Sequence, residues 1–290
     1  MKTTVKKILL FPLNLIYSVS PKLALKILFR IKNGYKLNFS NPKTYNEKLQ
    51  WIKINYKNRI LPKLVDKFAV RKYISEKCPE LLNDLLWEGF DAKKIPWEEL
   101  PNKFVIKVTH GSGFNIICTD KTKLVFKKCE KKLNRWLKEK FLKCYGEWFY
   151  GVEKPRIIIE KFLDDGSGKA PVDYKVLCFS GKPYYIIVDT NRFENHKRNV
   201  YDLDWNLLDN VTMDFPNDKK IEKPKELSRM LYYSELLSQG FPHVRVDLYI
   251  VKQKIYFGEL TFTNGAGFDR ILPRQFDLEL GSLLQLPEDK

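Results

Sequence analysis

An alternating stretch near the end of the chain, VRVDLYIVKQKIYFGELTF at positions 244–262, limits the fold more than any other segment. Apolar and polar residues alternate before and after Lys252 to Lys254. The pattern predicts a β-hairpin whose loop is Lys252 to Lys254. In that register Asp247 lies opposite Glu259, with Arg245 on the same face, because directly paired residues share a side.

This predicted pair of carboxylates requires a positive partner. Two like charges that face each other across strands destabilise a sheet. A hard divalent cation such as Mg2+, held by one or two carboxylates and by substrate phosphates, would relieve the repulsion. The sequence therefore indicates a metal site at Asp247 and Glu259. The competing interpretation is the solvated polar face of an ordinary hairpin.

The composition is that of a folded protein with a strongly basic surface. The 290 residues are 44% hydrophobic and 14% aromatic, enough for one large domain or two modest ones. The 52 Lys and Arg residues exceed the 35 Asp and Glu residues, which gives a net charge of +17. Such a charge attracts nucleic acid, nucleotides, anionic polysaccharide or acidic lipid headgroups. The five cysteines are scattered without a Cys-x-x-Cys pair, which favours a reducing cytoplasm over a disulfide framework or a zinc site.

Residues 5–29 combine short apolar runs with lysines. Asn14 interrupts the first apolar region, no small-residue cleavage site follows it, and no apolar run reaches the ~18 residues of a membrane-spanning helix. We expect one or two short helices. Their apolar side either packs on the body of the protein or rests on a membrane surface.

Helical patterns dominate the next part of the chain. Thr44 and Glu47 have capping-box spacing at the start of a helix, and residues 61–77 have apolar residues at helical spacing. Further helices are predicted at residues 126–145 and 225–238. Three charged residues of the second helix are expected on a solvated face: Asp66, Lys67 and Arg71.

The segment KFVIKVTHGSG, residues 103–113, predicts a strand that runs into a glycine turn. Lys107 lies among β-branched residues, and an ammonium group there is costly to bury unless an anion compensates it. Gly111 and Gly113 would let backbone N–H groups cradle a phosphate. The alternative is a tight hairpin turn with Lys107 reaching the solvent. His110 could bind the phosphate or form a hydrogen bond within the turn, and the sequence does not favour either role.

Strand patterns at residues 156–163, 173–179 and 184–189 predict an antiparallel sheet in the second half of the chain. Lys175 is a second interior lysine. Two interior lysines, a glycine turn and a carboxylate pair are the components of a Mg-nucleotide site: cations for phosphates, backbone donors, and ligands for the metal.

A basic loop and a short acidic motif follow. Four residues could receive an anionic second substrate, with solvated surface as the competing interpretation: Arg192, His196, Lys197 and Arg198. Asp202 and Asp204 form the short Asp-x-Asp pattern with which many nucleotide-sugar glycosyltransferases hold a metal.

Several ordered blocks between residues 41 and 280 together resemble the TupA-like branch of the ATP-grasp superfamily, found among bacterial genes for cell-surface polysaccharides. These blocks are NPKTYNEKLQW, LVDKFAVRKYI, FVIKVTHGSG, IIIEKFL, DYKVLCFSGKP, FPHVRVDLY and IYFGELTF. The resemblance implies an α+β ATP-grasp fold, with the nucleotide between two α+β subdomains. It also implies an acyl phosphate, made from a carboxylate and captured by a nucleophile that is usually an amine.

The resemblance also suggests roles for individual residues. The residues implied to contact the nucleotide phosphates are Lys107, His110, Gly111, Ser112, Gly113 and Lys175. The implied adenine-facing hinge is Glu160, Lys161, Phe162 and Leu163. Arg245 and Lys175 would act as catalytic cations, and Asp247 with Glu259 would hold Mg2+. Where the superfamily has an Asn two residues after the Glu, this chain has Thr261, so the third ligand is Thr261 or Asn264.

We therefore expect an ATP-dependent, ADP-forming carboxylate–amine ligase. Its acceptor would be a uronic acid or an amino-acid sugar conjugate of a surface polysaccharide, its second substrate an amine, and its location the cytoplasm near the inner membrane. The expected segments are 1–40 (basic helical), 41–100 (helical linker), 101–163 (small ATP-grasp subdomain) and 164–290 (metal- and acceptor-binding subdomain).

Two other functions are also compatible with the sequence. One is a glycosyltransferase that uses Asp202 and Asp204. The other is a non-catalytic polyanion-binding protein, whose binding would depend strongly on salt. The basic residues are spread along the chain and form no recognised nucleic-acid module, so we expect no nucleic acid partner.

Overall fold

The computed structural model describes residues 8–111, 113–166, 171–191 and 195–287. Within these ranges the strands are β1 Leu85–Gly89, β2 Phe104–Val108, β3 Asn115–Cys118, β4 Ile157–Lys161, β5 Asp173–Phe179, β6 Lys182–Thr190, β7 Lys197–Tyr201, β8 Thr212–Met213, β9 His243–Val251, β10 Lys254–Thr261 and β11 Ile271–Leu272. The α-helices are α1 Phe11–Val19, α2 Pro21–Asn33, α3 Tyr45–Asn55, α4 Leu61–Val65, α5 Val70–Lys77, α6 Phe126–Trp136, α7 Leu227–Ser238 and α8 Arg274–Leu283.

The smaller of the two main sheets has four antiparallel strands in the order β1-β4-β2-β3. One face is apolar: Phe104 and Ile106 pack with Leu133 and Trp136 of α6. Because side chains alternate along a strand, Lys107 projects from the opposite face of β2. This second face carries the polar residues of the sheet.

The larger sheet has five strands in the order β10-β9-β5-β6-β7, with every neighbouring pair antiparallel. One face packs on α7 through residues such as Val176 and Met230. The other face is covered over part of its length by α3 and α8, which pack on Leu177 and Phe179. This arrangement confirms the α+β class and the antiparallel second half.

The hairpin of β9 and β10 confirms the predicted pairing at the site but not the predicted loop. Asp247 is paired with Glu259, as expected. Lys254, however, is paired with Val251, so the loop is only Lys252 and Gln253, both with positive φ. Positive φ at both central residues is typical of the tight turns that join antiparallel strands. A register shift between Phe257 and Glu259 compensates for the shorter loop.

The predicted helices form with different limits in two places. Thr44 and Glu47 make the expected capping box at the start of α3. The predicted helix 61–77 is broken, because the Asp66 carboxylate accepts hydrogen bonds from the backbone N–H groups of Phe68 and Ala69 between α4 and α5. The prediction for residues 126–145 was too long, since α6 ends at Trp136.

The N-terminal region forms two helices, α1 and α2, joined through Ser20. Leu25, Leu28 and Phe29 of α2 are buried in a cluster with Phe268, so α2 packs on the body of the protein. None of the helices among the described residues is both long enough and apolar enough to cross a membrane. The expected segment boundary at residue 100 stays a prediction, although β1, from the expected 41–100 segment, is part of the four-stranded sheet.

Candidate active site

Arg245 lies at the centre of the carboxylate pair of the larger sheet. Its Nε and one Nη donate to the two oxygens of Asp247, each at 2.7 Å. The same guanidinium donates to Glu259 at 3.1 Å and to the Thr261 hydroxyl at 3.2 Å. Its other Nη donates to the side-chain oxygen of Asn264. Arg245 therefore supplies the positive charge that the facing carboxylates require.

The ionisation of this cluster reflects burial and the central arginine. Burial raises the pKa of the Asp247 carboxyl, and the neighbouring Arg245 opposes the rise. Burial would also raise the pKa of Glu259, but Arg245 and Lys67 lower it below its usual value. The Glu259 side chain is 45% exposed, whereas that of Asp247 is 4% exposed. Glu259 is therefore the more accessible of the two anions.

Lys175 of β5 lies beside this cluster because it is paired with Asp247 in the sheet. Its ammonium is buried and donates to Asp173, and it lies 3.0 Å from Asp189. Burial opposes ionisation of Asp189, but Arg198 and Lys175 hold the pKa of its carboxyl well below the usual range. Lys175 thus lies between carboxylates, with Asp247 on the next strand.

Lys107 lies on the polar face of the smaller sheet. Its Nζ donates to Glu160 at 2.6 Å, and Arg71 of α5 donates to the other oxygen of the same carboxylate at 3.0 Å. Arg71 also donates to the Asn83 carbonyl at 2.8 Å. The anion that compensates Lys107 is therefore part of the protein. Arg71 was expected on a solvated face, and this expectation was wrong because Glu160 draws it to the sheet.

Lys67 is influenced by charged groups of both sheets. It follows α4, and its Nζ donates to the carbonyl of Gly111 in the glycine turn at 2.7 Å. Burial lowers the pKa of this ammonium, Glu259 opposes that effect, and the like charge of Lys107 adds to it. Charged groups of both sheets therefore affect the pKa of Lys67. Its expected solvated position was also wrong.

The glycine turn follows β2. A Cβ at Gly111 would overlap the ring of Phe114, with a nearest distance of 2.1 Å, and Gly113 has φ +74°. Both positions therefore require glycine for reasons of packing or backbone conformation. His110 is buried, and its Nε2 lies 2.9 Å from the carbonyl of Glu139. Ser112 lies outside the described residues.

The predicted hinge lies at the end of β4. Its first member, Glu160, directs its carboxylate to Lys107 and Arg71. The backbone of Lys161 is held by donation of its N–H to the Asp84 carbonyl at 3.0 Å. Phe162 and Leu163 follow the strand and are half-buried. Their contact with adenine stays a prediction.

The side chains around Glu259 offer oxygen ligands of the kind that Mg2+ prefers. They include two carboxylates, the Thr261 hydroxyl and the Asn264 amide oxygen. Mg2+ is usually bound through one or two carboxylates together with substrate phosphates, so the residues fit. Among the described residues no group of three or more His, Cys, Asp or Glu side chains could hold a metal ion. The Asn264 amide nitrogen also donates to Asp269 at 2.6 Å.

The described basic residues from His196 to Arg198, at the start of β7, are less exposed than expected. Arg198 is buried and makes two hydrogen bonds to Asp189, at 2.6 and 3.0 Å. The His196 ring lies against Phe215, with its Nε2 3.2 Å from Asp189. Lys197 is half-buried at the start of β7. Arg192 lies outside the described residues, and an acceptor role for the segment stays a prediction.

The Asp-x-Asp motif forms a turn. The Asp202 carboxylate accepts from the backbone N–H and from the side-chain amide of Asn206, both at 2.8 Å. Asp204 lies on the rim of a surface cavity of about 430 Å³ next to Trp205. Asp202 therefore has a structural role in this turn.

In a comparison with known families, residues 47–285 match the TupA-like ATPgrasp family. The chain belongs to this family. A comparison with curated proteins found no match. Membership of an ATP-grasp family implies that the protein binds ATP.

Solved structures similar to this TupA-like ATP-grasp protein are distant in sequence. D-alanine–D-alanine ligase from Bacillus anthracis, complexed with ATP, has 16% identity and a TM-score of 0.42, over 69% of this chain and 55% of that chain. The Helicobacter pylori ligase of the same name has 11% identity and a TM-score of 0.45, over 84% and 68%. N5-carboxyaminoimidazole synthetase from Staphylococcus aureus, complexed with ADP, has 13% identity and a TM-score of 0.39, over 69% and 44%. This chain thus spans about half the length of the first and third.

Sequence reasoning missed two cations of the site, Lys67 and Arg71. Both lie in a block that supports the family resemblance, LVDKFAVRKYI, but helical spacing placed them on a solvated surface. The helix break at Asp66 changes the direction in which the chain presents Lys67. A short polar residue that can cap a new turn inside a predicted helix was the available signal.

Proposed function

We propose that this TupA-like ATP-grasp protein is an ATP-dependent, ADP-forming ligase that joins a carboxylate to an amine. The observation that carries the proposal is the arrangement of Lys67. Its Nζ donates a hydrogen bond to the Gly111 carbonyl in the turn after β2, and the charges of Glu259 and Lys107 shift its pKa in opposite directions. Cations and a carboxylate pair thereby meet in one region, as phosphate transfer requires.

The reaction consists of two displacements. An oxygen of the acceptor carboxylate attacks the γ-phosphorus of ATP, the bond to the β-phosphate oxygen breaks, and ADP leaves. The amine nitrogen then attacks the acyl carbon, the bond from that carbon to the phosphate oxygen breaks, inorganic phosphate leaves, and the nitrogen loses a proton. Neither displacement requires a nucleophile from the protein.

The residues of the protein position the reactants and neutralise charge. Lys107 and Lys175 contact the nucleotide phosphates, and Arg245 stabilises the transferred phosphoryl group. Each of these cations is held by carboxylates, so its position is established before the substrates bind. Preorganised charge of this kind is a large contribution to catalysis because little reorganisation is needed during the reaction.

Mg2+ would be held by Asp247 and Glu259, with Thr261 or Asn264 as a further oxygen donor. When bound, it would neutralise charge on the phosphate oxygens. Phe162 and Leu163 would contact the adenine ring. The turn at Gly111 and Gly113 would cover the phosphates.

We propose a uronic acid or an amino-acid sugar conjugate of a surface polysaccharide as the acceptor. The family resemblance to surface-polysaccharide genes supports this choice. Lys197 and His196 are the basic residues beside β7 that could bind its anionic groups. The reaction would take place in the cytoplasm, where ATP is available, at the inner face of the membrane.

Thermal unfolding tests the nucleotide site directly. ATP with Mg2+ at ~100 times its dissociation constant should add about 2.7 kcal/mol to the free energy of unfolding. Asp247→Asn/Glu259→Gln should reduce or remove this gain. The matched control is Asp202→Asn/Asp204→Asn, which also removes two carboxylates and should keep the gain.

The opposite pattern would refute the ligase. If a nucleotide sugar with Mn2+ stabilises the protein, Mg-ATP does not, and the Asp202/Asp204 variant loses the effect, the protein is a glycosyltransferase. A positive result leads to a screen of uronic acids and amino acids against amines. ADP release that requires both an acid and an amine would establish the reaction class.

A further inference from the structure

The N-terminal region has an unusual charge. The first 46 residues contain nine Lys or Arg residues and no Asp or Glu. These residues therefore contribute +9 of the total formal charge of +17. A surface with this composition repels other cations and attracts polyanions.

One side of α1 is apolar and exposed to solvent. Phe11, Leu15 and Val19 lie on this side, with exposed fractions of 59%, 57% and 90%. Ile8, which precedes α1 by three positions, continues the row and is 68% exposed. The body of the protein holds the helix, because Leu13 is buried and the Asn14 side-chain oxygen accepts a hydrogen bond from the Cys144 N–H at 2.9 Å. The exposed row therefore keeps a defined direction.

The next helix, α2, follows α1 through Ser20 and adds exposed positive charge. Lys22, Lys26 and Arg30 are exposed and follow each other at four-residue spacing along α2. Leu23 is 50% exposed next to them, while Leu25 and Phe29 on the other side are buried in the body. Two consecutive helices thus expose apolar and cationic side chains within residues 8–30. We call this surface, made of Ile8, Phe11, Leu15, Val19, Lys22, Lys26 and Arg30, the N-terminal face.

We propose that the N-terminal face docks on an anionic lipid bilayer, with the apolar row among the acyl chains near the headgroups and the cations against the lipid phosphates. A bilayer interface offers both chemistries, an apolar layer and a layer of negative charge. Nucleic acid would use the cations but not the apolar row, and a second copy of the chain would bring its own positive N-terminal face. This docking does not depend on the ligase activity.

Vesicle co-sedimentation of the full chain without nucleotide tests the proposal. The protein should bind vesicles of phosphatidylcholine and phosphatidylglycerol much more tightly than vesicles of phosphatidylcholine alone. Lys22→Glu/Lys26→Glu should weaken binding by at least about tenfold, because each basic residue near the surface contributes substantially. Leu15→Ser/Val19→Ser should also weaken binding, since the apolar row would insert less.

Lys127→Glu/Lys131→Glu is the matched control. It makes the same charge change at the same spacing on exposed positions of α6, and it should bind like the wild type.

Three outcomes would overturn the proposal. If the two charge variants lose the same amount of vesicle affinity, the attraction comes from the net charge of the whole protein and not from the N-terminal face. If Leu15→Ser/Val19→Ser binds vesicles as tightly as the wild type, the apolar row of α1 does not insert into the bilayer. A wild-type dimer that this variant converts to a monomer, without vesicle binding, would assign the face to a second copy. Unchanged circular dichroism would show that each variant is folded.

Discussion

Glu259 lies opposite Asp247 because β10 contains one residue more than a regular ladder would allow. The two-residue turn would pair Asp247 with Gly258, and the register shift between Phe257 and Glu259 moves Glu259 into that place. A β-bulge of this kind redirects side chains and is frequent beside active sites. The carboxylate pair therefore depends on the conformation at one glycine.

Gly258→Ala should weaken both the fold and the carboxylate pair. A Cβ at this position would lie 3.0 Å from the Asp247 carbonyl oxygen and 3.0 Å from the Tyr249 ring, so the strands must separate slightly. We expect a loss of about 1–3 kcal/mol in the free energy of unfolding, measured by urea denaturation. The stabilisation by Mg-ATP should decrease as well. Lys254→Ala, next to the turn, is the control. If it lowers the free energy of unfolding and the Mg-ATP stabilisation as much as Gly258→Ala does, the bulge does not position the carboxylate pair.

Arg245→Met should destabilise the protein by about 3–5 kcal/mol, because it leaves a buried carboxylate without its cation. Adding Asp247→Asn to this variant should recover part of the loss, since the unpaired charge is then removed. A double-mutant cycle from urea unfolding measures the coupling. Strictly additive losses would mean that the two side chains do not act as a pair. Arg59→Met, at an exposed position, should change stability little.

Lys67→Met should raise the dissociation constant for Mg-ATP by about tenfold or more, because hydrogen bonds to charged groups contribute about 1.5–3 kcal/mol. The protein should still fold, since a half-buried ammonium is replaced by an apolar chain of similar length. Lys72→Met is the matched control five residues later, on the exposed surface of α5. Nucleotide titration by calorimetry checks both. Equal affinities for the two variants would place Lys67 outside the phosphate site.

His243 should make the protein sensitive to mild acid. The Cys178 carbonyl can only accept, so Nδ1 donates to it at 2.8 Å, and Nε2 accepts from the Tyr45 hydroxyl at 2.7 Å. This arrangement requires a neutral ring, and burial lowers the pKa of His243 to about 3. The unfolded chain binds this proton near pH 6.5 and the folded chain does not. The contribution of His243 to stability should therefore be lost as the pH decreases below about 6.5, by up to about 1.4 kcal/mol per pH unit.

His243→Asn tests this pH dependence, because Asn keeps a donor for the Cys178 carbonyl but does not titrate. Urea unfolding at about pH 6.5 and about pH 5 gives the slope, in a range above the usual carboxyl pKa values. The variant should be less stable overall and should show a shallower slope than the wild type. Equal slopes would show that other groups cause the acid sensitivity.

The sequence alone determined the local features of this protein. Alternation around Lys252 to Lys254 predicted the hairpin, the spacing of Thr44 and Glu47 predicted a helix start, and both form. Such patterns are readable because the interacting residues are close in sequence and share a regular period. The shared face of Asp247 and Glu259 was predicted with a three-residue loop, and it forms because the bulge at Gly258 offsets the shorter turn.

Only the tertiary structure decided which charges meet. Glu160 lies 53 positions from Lys107 and 89 from Arg71, and Lys67 reaches the carbonyl of Gly111, 44 positions away. Spacing along the chain carries no information about such pairs, because they arise when separate elements pack together. The bulge at Gly258 was hidden for a related reason: a shorter turn and an extra residue cancel in the register, and only the folded hairpin reveals both.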